Sequence, residues 1–129
     1  MVGEATFPAD VLARWRDEPE VRVETSLGPD AQVHRVIIWI VLDDAGRPFV
    51  RSVRGATGRW YREATATGQG AILTRAERVP VAFEAASDAE RVESCSAALA
   101  SKYAGDPAVV PMLRNEVLDT TLQLHPLGG

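Results

Sequence analysis

Seven consecutive apolar residues, Val36-Ile37-Ile38-Trp39-Ile40-Val41-Leu42, constrain the fold more than any other part of the chain. β-Branched and aromatic residues dominate the run, and side chains alternate across a strand, so both faces of this strand are apolar. It needs cover on each: one side in a core, the other under a helix or a second subunit. Seven residues fall far short of the roughly 20 needed to span a bilayer as a helix. At 129 residues the chain suits one domain and is too short for two independent cores.

Around this strand the punctuation divides the chain. Pro8 followed by Val11, Leu12 and Trp15 predicts an N-terminal helix within residues 1–19, stopped by Pro19. Val21-Arg22-Val23-Glu24-Thr25 alternates as a half-exposed strand, and Leu27-Gly28-Pro29-Asp30 is a turn. Asp43-Asp44-Ala45-Gly46 joins the apolar strand to an antiparallel partner over residues 48–54. Thr57 is placed to cap a short helix over residues 57–68, ended by Gly68 and Gly70. Strands over residues 71–74 and 79–85 complete the main barrel segment, residues 20–86. Ser87-Asp88-Ala89-Glu90 has capping-box spacing and opens a helix over residues 87–104, with Val92, Cys95 or Ser96, Leu99 and Tyr103 on one face. Residues 106–113 read as a turn or short helix around Pro111, and the last strand falls within residues 118–126. Five or six strands with inserted helices and a central antiparallel hairpin predict an α+β fold, a small mixed barrel or strongly curled sheet. The dinucleotide glycine fingerprint is absent.

Charge is distributed unevenly. The net charge is -4 and the pI about 5.2, which argues against general nucleic-acid binding. Yet Arg47, Arg51, Arg54, Arg59 and Arg62 follow one another without an intervening acid. A strand that breaks at Gly55 and Gly58 and restarts as a helix can present guanidinium forks, the Ser52 hydroxyl and free backbone N–H groups to one small anion. Because alternation sends Arg51 and Ser52 to opposite faces, the anion is expected at the strand end, near Ser52, Arg54 and Arg59. The same run is compatible with a solvated face carrying incidental ion pairs.

The order Ile38-Trp39-Ile40-Val41, Phe49-Val50-Arg51-Ser52-Val53-Arg54-Gly55, Gly58-Arg59-Trp60-Tyr61-Arg62 and Ser101-Lys102-Tyr103 resembles an uncharacterised bacterial domain family. That family is related to the split-barrel flavin and deazaflavin proteins, including pyridoxamine-phosphate-oxidase-like and deazaflavin-dependent nitroreductase-like members. The likeness runs from about Val21 to Pro126. It implies a six-stranded antiparallel split β-barrel, a homodimer, and a flavin mononucleotide (FMN) or deazaflavin in a groove at the subunit interface. The cofactor-binding residues it implies are Arg51, Ser52, Arg54, Gly55, Arg59 and Trp60. The lysine common in that phosphate clamp is missing from this stretch.

Three functions follow as expectations. The first is a flavin- or deazaflavin-dependent oxidoreductase, in which the cofactor carries the chemistry and no side chain is catalytic. The second is a ligand-binding or scaffold module of the same fold without cofactor. The third is a cofactor-independent enzyme using His34 or Asp43 and Asp44, although adjacent aspartates are most at home in a turn. His34 and His125 show no metal-ligand spacing, and no metal site is expected. Cys95 on an apolar helix face reads as an inert small hydrophobe. A single cysteine permits no intrachain disulfide, and the first residues lack a signal-peptide pattern, so a cytoplasmic location is expected.

Overall fold

A computed structural model describes residues 6–127. Its strands, in chain order, are β1 (Val21–Thr25), β2 (His34–Ile38), β3 (Ile40–Leu42), β4 (Pro48–Val50), β5 (Gln69–Leu73), β6 (Arg78–Ala85) and β7 (Leu122–Pro126). The helices are α1 (Ala9–Asp17), α2 (Arg59–Thr67), α3 (Ala89–Lys102), α4 (Val109–Met112) and α5 (Asn115–Leu118), with a single 3-10 turn at Gly55–Thr57. The strands form one antiparallel sheet in the order β2-β1-β5-β6-β7-β4-β3.

That order explains why seven strands stand where six are expected. The apolar run 36–42 breaks at Trp39, and its halves pair at opposite ends of the sheet, β2 on β1 and β3 on β4. Two edges separated by one residue can belong to one sheet only if the sheet curls round on itself. The fold is therefore α+β, a curled antiparallel half-barrel of the split-barrel class.

Alternation in β3 and β4 feeds two cores. Ile40 and Val50 join the barrel interior with Trp15, Val23, Ile72 and Leu124, whereas Val41 and Phe49 pack on the other side against Cys95, Leu99 and Tyr103 of the α3 layer. Helix α3 thus supplies the second cover that the apolar run demands, but only for its β3 half. In the β2 half Ile38 is buried while Ile37 stays 63% exposed.

Several local expectations shift. The α3 cap is Asp88 and not Ser87: its carboxylate accepts from the Arg91 N–H at 3.1 Å, while Glu90 pairs with Arg47. Thr57 does not cap α2; its hydroxyl donates back to the Arg54 carbonyl, and Gly58 takes the cap position. Gly68 ends α2 in the left-handed region at φ 75°, but Gly70 lies inside β5. Strand β4 stops at Val50, so the strict face alternation expected through Arg54 ends four residues early. Among the described residues no helix is long and apolar enough to cross a membrane.

Candidate functional site

The segment after β4 turns sharply instead of continuing as strand: the Gly55 N–H donates to the Ser52 carbonyl and the Gly58 N–H to the Gly55 carbonyl. These turns deliver the chain to the start of α2 and open a groove of about 670 Å³. Val36, Ile38, Trp39, Trp60 and Met112 give it apolar walls, and Arg51, Ser52, Arg54, Gly58 and Arg59 form its polar side. The groove therefore gathers five of the six site residues expected from sequence. Gly55 is buried within the turn itself and does not line the groove. Exposed Glu20 contributes one acid at the edge.

The arginine island divides into parts with different duties. Arg47 leaves for the β3–β4 turn, where its Nε donates to Asp43 Oδ2 at 2.8 Å and its Nη2 to Glu90 Oε2 at 2.5 Å. Arg51 is buried at 2% exposure, and its guanidinium acts as an internal strut. It donates to Thr121 Oγ1, Ser96 Oγ and the carbonyls of Met112 and Val92 at 2.9–3.1 Å, joining α3, α4 and the approach to β7. All four acceptors are neutral, and burial pulls its pKa below the ordinary arginine value despite nearby Cys95. Arg51 thus leaves a cation beneath the groove without an ion-pair partner among the described residues. Arg54, Arg59 and Arg62 are exposed and likewise unpaired there, and Arg62 does not line the groove.

Helix α2 starts without a side-chain cap. Arg62 donates to the Gly58 carbonyl, so the amides before it in the first turn have no helical acceptor, and the helix dipole adds partial positive charge. A Cβ at Gly58 would lie 2.8 Å from Ser52 Oγ, so glycine is what lets the serine sit under the helix start. The Ser52 hydroxyl itself donates to the Gly55 carbonyl at 2.8 Å and keeps only acceptor capacity. An anion would accordingly be held by Arg54, Arg59 and α2 amides, with Arg51 contributing charge from below.

Behind this helix start lies a polar cluster not foreseen from sequence. Glu63, 5% exposed, accepts from Thr25 Oγ1 at 2.9 Å and from His34 Nδ1 at 2.9 Å, tying α2 to β1 and β2. Its partners lie 38 and 29 positions away, so no local pattern signals it. His34 is thereby held at the beginning of β2 and does not line the groove. Asp43 serves the turn as expected, accepting from the Ala45 and Arg47 N–H groups, Arg47 Nε and Ser94 Oγ. Cys95 is buried, and desolvation pushes its thiol up to about 11 even with Arg51 near. Among the described residues no cluster of His, Cys, Asp or Glu could hold a metal.

Solved structures share this architecture. A conserved hypothetical protein from Mycobacterium tuberculosis superposes with a TM-score of 0.63 at 14% identity, covering 99% of this chain and 84% of its own. HutZ, the haem storage protein of Vibrio cholerae, gives 0.61 at 11% identity, covering 96% and 92%. A NimC/NimA family protein from Clostridium acetobutylicum gives 0.55 at 12% identity, covering 93% and 83%. At these identities the likeness concerns the fold. No curated protein matches the sequence. The model of the family described as uncharacterised proteins conserved in bacteria, DUF2255, matches residues 11–124, and the chain belongs to that family.

Proposed function

We propose that the protein binds a phosphorylated small molecule in the groove, and that this ligand is FMN or a deazaflavin held by its phosphate. The observation that carries the reading is the meeting of exposed Arg54 and Arg59, unpaired among the described residues, with an uncapped α2 start beside the apolar walls of Trp39, Trp60 and Val36. This donor set fits a phosphate next to a planar ring. When bound, such a cofactor supplies hydride and electron transfer from its ring. Arg54, Arg59 and the α2 amides would hold its phosphate, while Trp60 and Trp39 would shield the ring from water. No side chain is required to exchange a proton. A haem is a poorer fit, because the described groove lining offers no histidine, cysteine or tyrosine as an axial ligand and its one thioether, Met112, is buried in the α3 layer.

The reading includes a homodimer in the cytoplasm. Ile37 and Val53, 63% and 53% exposed, both line the groove, so a second copy laid there would cover them and enclose the ligand. Light scattering that finds a monomer at micromolar concentration removes the dimer from the proposal.

One observation favours a second reading, a cofactor-free anion-binding module. Arg51 and Ser52 spend their donors inside the protein and leave two arginines for direct contact. Spectral titration with FMN, riboflavin and inorganic phosphate separates the two. The flavin reading expects saturable FMN binding that weakens on loss of the phosphate by about 100-fold or more, from two charge-assisted contacts at roughly 1.5–3 kcal/mol each. Thermal stabilisation by phosphate with no spectral change for FMN or a deazaflavin would leave the module.

A further inference from the structure

Lys102 is the only lysine in a sequence that contains thirteen arginines. It stands in the last turn of α3, where the helix carbonyls favour a cation, and by sequence it reads as the polar tip of that helix. The structure turns it inward. Its Nζ donates to the carbonyl of Trp15 in the last turn of α1 at 2.9 Å and to that of Ile40 at 2.7 Å. Ile40 belongs to β3, the end of the sheet, where no further strand pairs.

Both acceptors are neutral. An ammonium carries three N–H donors, whereas a neutral amine carries two donors and one lone pair. The two carbonyls use the full donor set of the neutral amine and leave one tetrahedral position over. Lys102 lines a second cavity of about 490 Å³, shared with Arg16, Asp44, Ser94 and Ser101 and separate from the groove. Asp17 and Glu18 favour the charge but form no ion pair with it; desolvation outweighs them and brings the ammonium down to about 8. The amine is therefore neutral in appreciable fraction near pH 7.5, beside an open cavity and with both N–H groups anchored.

We propose that Lys102 is a nucleophilic amine and that the second cavity is a site where it condenses with a small aldehyde. Nζ attacks the carbonyl carbon as a proton moves from nitrogen to the carbonyl oxygen, giving a carbinolamine; loss of water leaves a C=N bond to Nζ. Neither an oxidant nor a reductant is consumed. The cavity carries Arg16 beside two carboxylates, Asp43 and Asp44, of which Asp43 is already held by Arg47 and Ser94, and this lining suits an uncharged aldehyde better than an anionic one. Conversion to an iminium leaves a single N–H on nitrogen, so one of the two carbonyls loses its donor.

The test equilibrates the intact folded protein with propionaldehyde as the probe at each pH from 6.5 to 10.5, traps the imine with excess borohydride under one fixed alkaline condition, and reads the adduct by peptide mass spectrometry. At pH 7.5 a group with a pKa near 8 is neutral roughly 200 times as often as ordinary lysine, and lower basicity offsets part of that gain. At sub-saturating aldehyde and pH 7.5 the trapped fraction at Lys102 should exceed that of free Nα-acetyl-lysine by about tenfold or more, and it should rise through a midpoint near 8 and then level. A trapped yield still climbing above pH 10, or a native Lys102 that stays unmodified while the urea-unfolded chain reacts, would overturn the proposal.

Discussion

The indole of Trp39 lies flat on the ring of Tyr103, with centroids 3.7 Å apart and planes 9° from parallel. Trp39 is the one residue between β2 and β3, and the Tyr103 hydroxyl donates to the Pro19 carbonyl ahead of β1 at 2.8 Å. The stack thus fastens the corner where the sheet splits to the end of α3 and to the entry of the first strand. Trp39→Ala should cost about 2–4 kcal/mol in urea unfolding, less than a fully buried tryptophan because Trp39 is partly exposed. Tyr103→Phe, which keeps the stack and loses the hydrogen bond, should cost about 1 kcal/mol. Equal losses would mean that the hydroxyl, and not the stack, holds the corner.

Arg51 and its neighbours should separate cleanly into structural and binding arginines. Arg51→Ala leaves two buried carbonyls and two hydroxyls without their donor, and a loss of about 3 kcal/mol or more is expected by denaturant unfolding. Arg54→Ala and Arg59→Ala, at exposed positions without ion-pair partners among the described residues, should each stay within about 0.5 kcal/mol of the parent. A stable Arg51→Ala protein would show that the strut is dispensable.

Glu63 joins α2 to the first two strands through Thr25 and His34. Glu63→Ala should destabilise by about 2–3 kcal/mol, since it strands a buried hydroxyl and an imidazole N–H. Because the cluster also fixes α2 against β2, both of which border the groove, ligand affinity should fall with it. Calorimetry of the variant with FMN checks this, and an unchanged affinity would uncouple the cluster from the groove.

Asp43 should give the fold an acid-sensitive tie. Burial raises its pKa, but hydrogen bonds from the Arg47 backbone, Ser94 and the Arg47 guanidinium outweigh it and hold the carboxyl below its ordinary value. A depressed folded value means that the unfolded chain binds the proton more readily, so the stabilisation is present above about pH 4 and is lost as pH falls through the folded value. At pH 7 the parent should exceed Asp43→Asn by about 2 kcal/mol, with the gap closing towards pH 2. A gap independent of pH would assign the difference to packing.

The elements legible in the sequence are those fixed by neighbours a few positions apart. The α3 face of Cys95, Leu99 and Tyr103, the Asp43 turn and the hairpin that follows it all rest on short-range patterns, and the structure places each where expected. The break at Trp39 was hidden because an apolar run reads the same whether its two halves lie in one strand or at opposite ends of a curled sheet. The Arg51 strut was hidden because its acceptors lie 41 to 70 positions away. The same limit concealed the Thr25–His34–Glu63 cluster and the inward turn of Lys102.

The most direct test of the account is calorimetric titration of FMN, and of a deazaflavin in parallel, into the parent protein and into the Arg54→Ala, Arg59→Ala double variant. The account predicts saturable binding to the parent and a loss of about 100-fold or more in the folded double variant, from two charge-assisted contacts to the phosphate. Identical affinities for parent and variant would contradict it, because the phosphate would then lie elsewhere than at the start of α2.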